Sequence, residues 1–309
     1  MAIVSRRIEG SFDRALFDFV AASEGFVPRV YSDPRGLPTL GLGFTMLDST
    51  PGWPPRDSLD RDLAGIGIRL TPQDRIRLTA VGEALSCHDV AAARRLVSPW
   101  IPGEDPQARN GFSFLIDRAQ AQALFELARP DVEAVLQRKL GRELLATLAG
   151  SRELVALFSL AYCNPALIGP KLCSALQRGA RGEAWFEIRF GSNRQRHHRV
   201  QARRDQEAAM FGLTNEATPS AAERDALLEL LSDRQPHIKR YLEELGLPRA
   251  EVKRTVAILW NGAGLPTPPC ALPGPGEAPA AAGRVRPAAA QPELHGPQPS
   301  IIGPFLLDC

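Results

Sequence analysis

No stretch of this chain approaches the roughly 18 consecutive apolar residues that a membrane-spanning helix requires. The opening residues, MAIVSRRIEGSFDRALF, also lack the long apolar core of a secretory signal peptide. The expectation is a protein made in the cytoplasm that needs assisted release or secretion to meet any substrate outside it. An excess of one charge is missing too. Lys and Arg number 37 against 35 Asp and Glu, a net charge of +2, so no global field calls for a nucleic-acid partner. The five cysteines are an odd number with no Cys-x-x-Cys pair, which argues against a disulfide framework and against a zinc site. Small buried hydrophobes are their expected role. No internal repeat is present.

What remains is enough for a packed protein. The chain has 309 residues, 44% of them hydrophobic, which supports a sizeable core and more than one domain. Residues 11–23 carry Phe12, Leu16, Phe19 and Val20 at i, i+4, i+7 and i+8, an amphipathic helix with Ser11 as N-cap and Gly25 as its stop. Residues 29–44 change character. Val30 and Tyr31 favour a strand, Asp33-Pro34-Arg35-Gly36 is turn chemistry, and Thr39 to Phe44 interleaves side chains with glycine. A β-hairpin or small three-stranded sheet is expected there.

Residues 46–110 read as less regular, with loops at Trp53-Pro54-Pro55 and Pro99 to Pro106. Thr71-Pro72 nevertheless predicts a capped helix through Ile76 to Leu85, and a shorter helix follows near Val90 to Leu96. Further on, Asp117 predicts a helix through Phe125, and a separate helix runs from Pro130 to Leu140. Ser151 to Cys163 is apolar on most sides, as in a buried central helix that Asn164-Pro165 ends. Helices are also expected over 172–177, 182–190, 200–211, 221–231, 237–245 and 249–260. Beyond Gly262 the composition turns Pro- and Ala-rich, too poor in large apolar residues to form a core. Ile301 to Leu307 is apolar again.

The chemistry concentrates between residues 24 and 39. Two carboxyl groups flanking a glycosidic bond are the minimum needed to hydrolyse it, one as acid and one as base or stabiliser. Glu24 ends an apolar helix and precedes Gly25-Phe26-Val27. Apolar neighbours raise a carboxyl pKa, so Glu24 is the expected acid. Asp33 lies in a turn where solvent and backbone donors keep it ionised, and Thr39 is placed to hold a water with it. Taken singly, each residue has an ordinary structural explanation: a helix-end glutamate, a turn aspartate and a strand threonine.

The stretch SEGFVPRVYSDPRGLPTLGLGFT resembles the catalytic segment of phage-type lysozymes (endolysins) and of the related pesticin-like muramidases. In that family Glu-Gly ends the first helix, and Tyr-x-Asp, Gly and Thr-x-Gly-x-Gly follow. Glu24-Gly25, Tyr31, Asp33, Gly36, Thr39, Gly41 and Gly43 match; Phe44 stands where the family usually has His. The segments 159–179, 183–193 and 203–213 are similar to the family's distal helices, although Asn164-Pro165-Ala166 breaks the usual Asn-x-Gly.

The resemblance implies an α+β, mostly helical, lysozyme-like two-lobed fold, with a small β-hairpin lobe and a helical lobe. It implies a muramidase domain over 1–215, with a helical extension at 216–264 and a tail at 265–309. The reaction would be hydrolysis of the β-1,4 bond between N-acetylmuramic acid and N-acetylglucosamine, with peptidoglycan glycan strands as substrate. Glu24 would be the acid and Asp33 and Thr39 would position water, while Tyr31, Gly41, Ser192 and Asn193 contact substrate. No cofactor and no metal are implied. An endolysin and a secreted antibacterial effector, with a secretion-machine or immunity partner, both fit the absence of a signal peptide. The alternatives are a lytic transglycosylase, whose chemistry needs no aspartate base, and a non-catalytic peptidoglycan-binding protein of the same fold.

Other features have competing readings. The basic run RFGSNRQRHHRVQARR, with His197 and His198, is either an anion-attracting surface or a solvated face. Trp53 and Trp100 either stack on sugars or pin loops to the core, and Trp185 is expected in the core. Cys87-His88 is a weak nucleophile pair, because adjacent helix residues face different ways.

Overall fold

The computed structural model describes residues 6–98, 111–192, 198–213 and 221–246. These fall into two compact units, 6–212 and 213–246. The expected helix over 249–260, the tail, Trp100 and Asn193 lie outside the described residues. The architecture is mostly helical α+β, with a small three-stranded antiparallel sheet near the N-terminus.

Helix α1 (Phe12–Glu24) begins where the Ser11 hydroxyl accepts the Arg14 N–H and ends at Gly25, whose φ is +80°. Strands β1 (Val27–Ser32), β2 (Pro38–Gly41) and β3 (Phe44–Thr45) follow in the order β1-β2-β3. Next come α2 (Leu59–Gly65), α3 (Pro72–Ser86) and α4 (Val90–Val97). The sheet and these helices share one apolar core built around Val30, Leu40, Met46, Leu63, Val81 and Val97. Trp53 packs against that core, and its carbonyl oxygen lies 2.6 Å from where a side chain on Gly82 would begin, so only glycine fits at position 82. Trp53 therefore pins its loop.

Helix α3 carries the predicted Thr71 cap, extended into a reciprocal box with Asp74. Asp74 is buried, and its carboxylate accepts the Thr71 N–H (2.9 Å) and hydroxyl (2.7 Å) and the Ser113 N–H (2.9 Å) and hydroxyl (2.6 Å). Burial opposes its charge, but the hydrogen bonds from Ser113 and Thr71 outweigh it and hold the pKa below 3.8. The stability this group contributes is thus present above pH 3.8 and lost as pH falls through the lowered native value. An Asp74→Asn variant points an NH₂ group at donors. We expect it to lose about 2 kcal/mol at pH 7, with the deficit against wild type shrinking below pH 4 in urea unfolding.

The helical half begins with α5 (Arg118–Leu140), which is one continuous helix. The sequence predicts a break at Pro130, and the structure has none. Residues on both sides of the proline are buried, among them Leu124, Phe125, Val132 and Leu136. Arg129 also straps the site, reaching Glu126 (3.2 Å), Glu133 (2.7 Å) and Asp13 of α1 (2.7 Å). Packing and ion pairs here outweigh the lost backbone bond. At about 1.5 Å per residue its 23 residues span ~35 Å, enough to touch β2 and β3 and also the helices beyond.

Helix α6 (Arg142–Leu148) is followed by α7 (Arg152–Cys163), buried along almost its whole length as expected. Asn164 ends α7 and caps a single 3₁₀ turn through its side chain. Helix α8 (Pro170–Gln177) and α9 (Arg181–Phe186) come next, then a π-helical turn at Glu187–Gly191 and α10 (His198–Phe211). Phe17, Phe125, Phe158 and Tyr162 stack at 5.5–6.0 Å between α1, α5 and α7. In the second unit α11 (Ala221–Asp233) packs on α12 (Gln235–Glu244). Cys87 is exposed and Cys163 and Cys173 are half-buried free thiols, so the expectation of buried cysteines is corrected for these three.

Candidate active site

Helical spacing delivers Glu24 to the interior. It follows Phe17, Val20 and Ala21 at seven, four and three residues, on the stripe that α1 buries. Its carboxyl group is therefore on the core side of the last turn, and the residue is only 4% exposed.

Asp33 is placed by the hairpin. Its backbone N–H reaches the Leu37 carbonyl at 3.0 Å, and its Oδ1 accepts the N–H groups of Arg35 and Leu37, both at 2.8 Å. The Arg35 guanidinium adds a contact of 3.3 Å to Oδ2. The helical pair α3 and α4 braces this turn: Gly36 at φ +92° sits against Leu85, Val90 and Ala93, and Arg94 donates to the Pro34 carbonyl at 2.6 Å. Backbone donors hold Asp33 as expected. Solvent does not, since the residue is 4% exposed.

Thr39 lies directly across the sheet from Tyr31. The register thus groups Tyr31 with Thr39, and Asp33 follows one residue past the end of β1. The Thr39 hydroxyl donates to the Leu37 carbonyl at 3.1 Å and is fully buried, which leaves its lone pairs as acceptors. Gly41, at φ +64°, ends β2 where a side chain would meet Ile116 at 3.2 Å. It supports the sheet and touches α5.

The tyrosines couple the two carboxyl groups electrostatically. Burial pushes the Tyr31 hydroxyl well above its ordinary value of 10, and the charges of Glu24 and then Asp33 push it further. Tyr162 of α7 is raised by burial, Glu24 and Tyr31, partly offset by Arg203. Its hydroxyl donates to the Leu42 carbonyl at 3.2 Å, fixing α7 to the β2–β3 turn. Both tyrosines are neutral donors at physiological pH beside ionisable carboxyl groups.

Apolar neighbours alone do not surround Glu24. Its Oε1 forms an ion pair with Arg203 of α10. The same guanidinium donates to Glu207 Oε1 at 3.0 Å and to the Ser159 carbonyl and hydroxyl at 3.0 and 3.2 Å. Ser159 in turn donates to Glu207 at 2.7 Å, and Arg204 reaches Glu207 Oε2 at 2.6 Å. Arg203, Arg204, Glu207 and Ser159 are 7%, 1%, 0% and 0% exposed. Burial opposes the Arg203 charge, yet its acidic neighbours, Glu24 foremost, more than compensate and keep it firmly protonated.

The solvated-face reading of the basic run is therefore wrong for Arg203 and Arg204. Arg189 is also withdrawn from it, paired with Asp205 at 2.8 Å and lying over the Trp185 ring. The available sequence signal was Arg203-Arg204-x-x-Glu207 at i, i+3 and i+4, leading into the apolar Ala208, Ala209 and Phe211.

The distal candidates are less involved. Ser192 closes the π-helical turn and donates to the Ile188 carbonyl. That bond stays within its own turn, and Asn193 lies outside the described residues. Phe44 is buried with the Arg56 guanidinium 4.9 Å over its ring. Trp185 is core, as expected. Among the described residues no group of three His, Cys, Asp or Glu is placed to hold a metal ion.

Two buried carboxyl groups, a strand threonine and a neutral tyrosine thus share one site, with a guanidinium on the first carboxyl and backbone donors on the second. Such a set can hold and move a proton and can orient a polar reactant. Comparison with protein-family models, with curated proteins and with solved structures finds no match.

Proposed function

We propose that this chain is a peptidoglycan hydrolase of the phage-type lysozyme and pesticin-like muramidase kind, with a two-lobed lysozyme-like arrangement of the first unit. The observation that carries this reading is the joint placement of Glu24, Asp33 and Thr39 around Tyr31. Glu24 protonates the leaving glycosidic oxygen between N-acetylmuramic acid and N-acetylglucosamine. Asp33, held in place by two backbone N–H groups and Arg35, takes up the proton of a water that the Thr39 hydroxyl helps to hold. Asp33 and Thr39 are both tied to the Leu37 backbone, Asp33 accepting its N–H and Thr39 donating to its carbonyl, which fixes their spacing.

An antibacterial effector or an endolysin, released to the cell wall with assistance, is the setting this reading implies. Digestion of purified sacculi followed by mass spectrometry of the muropeptides tests it. Reducing-end N-acetylmuramic acid products are expected. 1,6-Anhydro products would make the chain a transglycosylase, and binding without digestion would leave it a wall-binding protein. Asp33→Asn should lower the digestion rate about 10²-fold or more while keeping the hairpin, because an amide oxygen still accepts from Arg35 and Leu37.

A further inference from the structure

The guanidinium against Glu24 poses a chemical problem. A cation in contact with a carboxyl group favours its ionised form, whereas an acid catalyst must carry its proton. The helix α10 supplies a counterweight. Arg203 does not face Glu24 alone, because its Nε donates to Glu207 and its Nη2 to Ser159. Glu207 is itself gripped by Arg204 and by the Ser159 hydroxyl. Two acids and two guanidiniums thus form a buried set in which Glu24 and Glu207 compete for Arg203.

We infer that Glu207 is a positioning residue that sets the proton affinity of Glu24 by dividing the Arg203 cation between two carboxylates. This rests on Glu24 being the acid of the proposed reaction. Also facing Glu24 are Tyr31 of β1, which also feels Asp33, and Tyr162 and Cys163 of α7. The tyrosines stay neutral, and burial raises the Cys163 thiol despite Arg203 and Arg204, so neither competes for Arg203 as an anion. Glu207 is the partner whose negative charge acts on the same guanidinium.

The sign follows from electrostatics. Replacing Glu207 with glutamine removes a like charge near Glu24 and leaves Arg203 more fully available to it. The Glu24 carboxylate is then better stabilised and loses its proton at lower pH. The alkaline limb of kcat, which reports the acid in the substrate complex, should move down by about one pH unit. Arg204→Gln acts the opposite way: Glu207 then leans more on Arg203, Glu24 is held less, and the limb moves up.

The experiment uses the full chain with isolated sacculi as substrate. The pH profile of kcat is measured for wild type, Glu207→Gln, Glu207→Asp and Arg204→Gln. In parallel, carbon NMR of protein labelled at the glutamate carboxyl carbon follows the titration of Glu24, with Glu24→Gln identifying its resonance. We expect a downward displacement in Glu207→Gln, recovery towards wild type in Glu207→Asp and an upward displacement in Arg204→Gln, in both readouts. Unmoved Glu24 titration in folded Glu207→Gln, or displacement of both variants in the same direction, overturns the inference. Should Glu207→Gln not fold, the sign of the Arg204→Gln displacement decides alone. A wild type inert towards sacculi would sink the muramidase reading, while the NMR titration would still judge the coupling between Glu207 and Glu24.

Discussion

Glu24→Gln protein should digest sacculi about 10³-fold more slowly than wild type, within the range that general acid catalysis supplies. Glutamine has nearly the same shape, and its amide oxygen still accepts from Arg203. What it lacks is an acidic proton for the leaving oxygen. Arg203 keeps its bonds to Glu207 and Ser159, so the variant should retain its far-UV circular dichroism and cooperative unfolding. Initial rates of turbidity loss, taken across pH 4 to 8, give the comparison. A folded variant within tenfold of wild type over that whole range would remove Glu24 from the acid role. Loss of kcat without a matching change in sacculus binding would place the missing interaction in the transition state.

The second large effect concerns stability. Arg203→Gln should cost about 3–5 kcal/mol, the usual penalty for breaking a buried ion pair from one side. Glu24 and Glu207 are 4% and 0% exposed; both would lose their shared cation, and Glu207 would keep only Arg204 and Ser159. The Ser159 carbonyl would lose a donor as well. For a chain of this size, the corresponding fall in Tm is on the order of 10 °C. Its pH dependence identifies the cause. Unpaired buried carboxyl groups have native pKa values above their unfolded ones. They are neutral and harmless below about pH 4, and they weaken the fold as pH rises through that unfolded value. The deficit of the variant should therefore be small in acid and grow towards neutrality in thermal scans. A deficit that is equal at pH 4 and pH 7 would mean that lost packing, not charge, is responsible.

The parts of the molecule that were legible in the sequence are those whose causes are local. Ser11 and Gly25 bound α1 because a hydroxyl and a positive φ act within a few residues. Thr71-Pro72 starts α3 for the same reason, and the Asp33 turn and the Tyr31 to Thr39 hairpin follow from Asp, Pro and Gly chemistry. The continuity of α5 was not legible, because what overrides Pro130 is a core on both sides and an arginine that reaches a different helix. Short α2 and α6 have seven residues each and too few turns for a clear period. The helix end at Glu24, the turn at Asp33 and the strand at Thr39 were readable from local pattern. The cation beside Glu24 was not, because nothing near residue 24 announces residue 203, and a run of arginines is most often solvated.

That separation has a consequence for how the protein comes into being. The first helix supplies Glu24, and the last helix of the first unit supplies Arg203. Other closures are of the same kind. The Tyr162 hydroxyl and Leu42 carbonyl are 120 residues apart, and Arg6 meets Glu153 across 147. Contacts this distant form late, since loop entropy is spent before they repay it. A nascent chain leaving the ribosome carries Glu24, Asp33 and Thr39 long before it carries Arg203. Any chain cut short before α10 holds every residue of the catalytic pattern and lacks the helix that completes its charge balance. The charge balance around Glu24 is therefore completed only once residue 203 has been made, and a product truncated before α10 should fail to digest sacculi even with the whole N-terminal pattern intact.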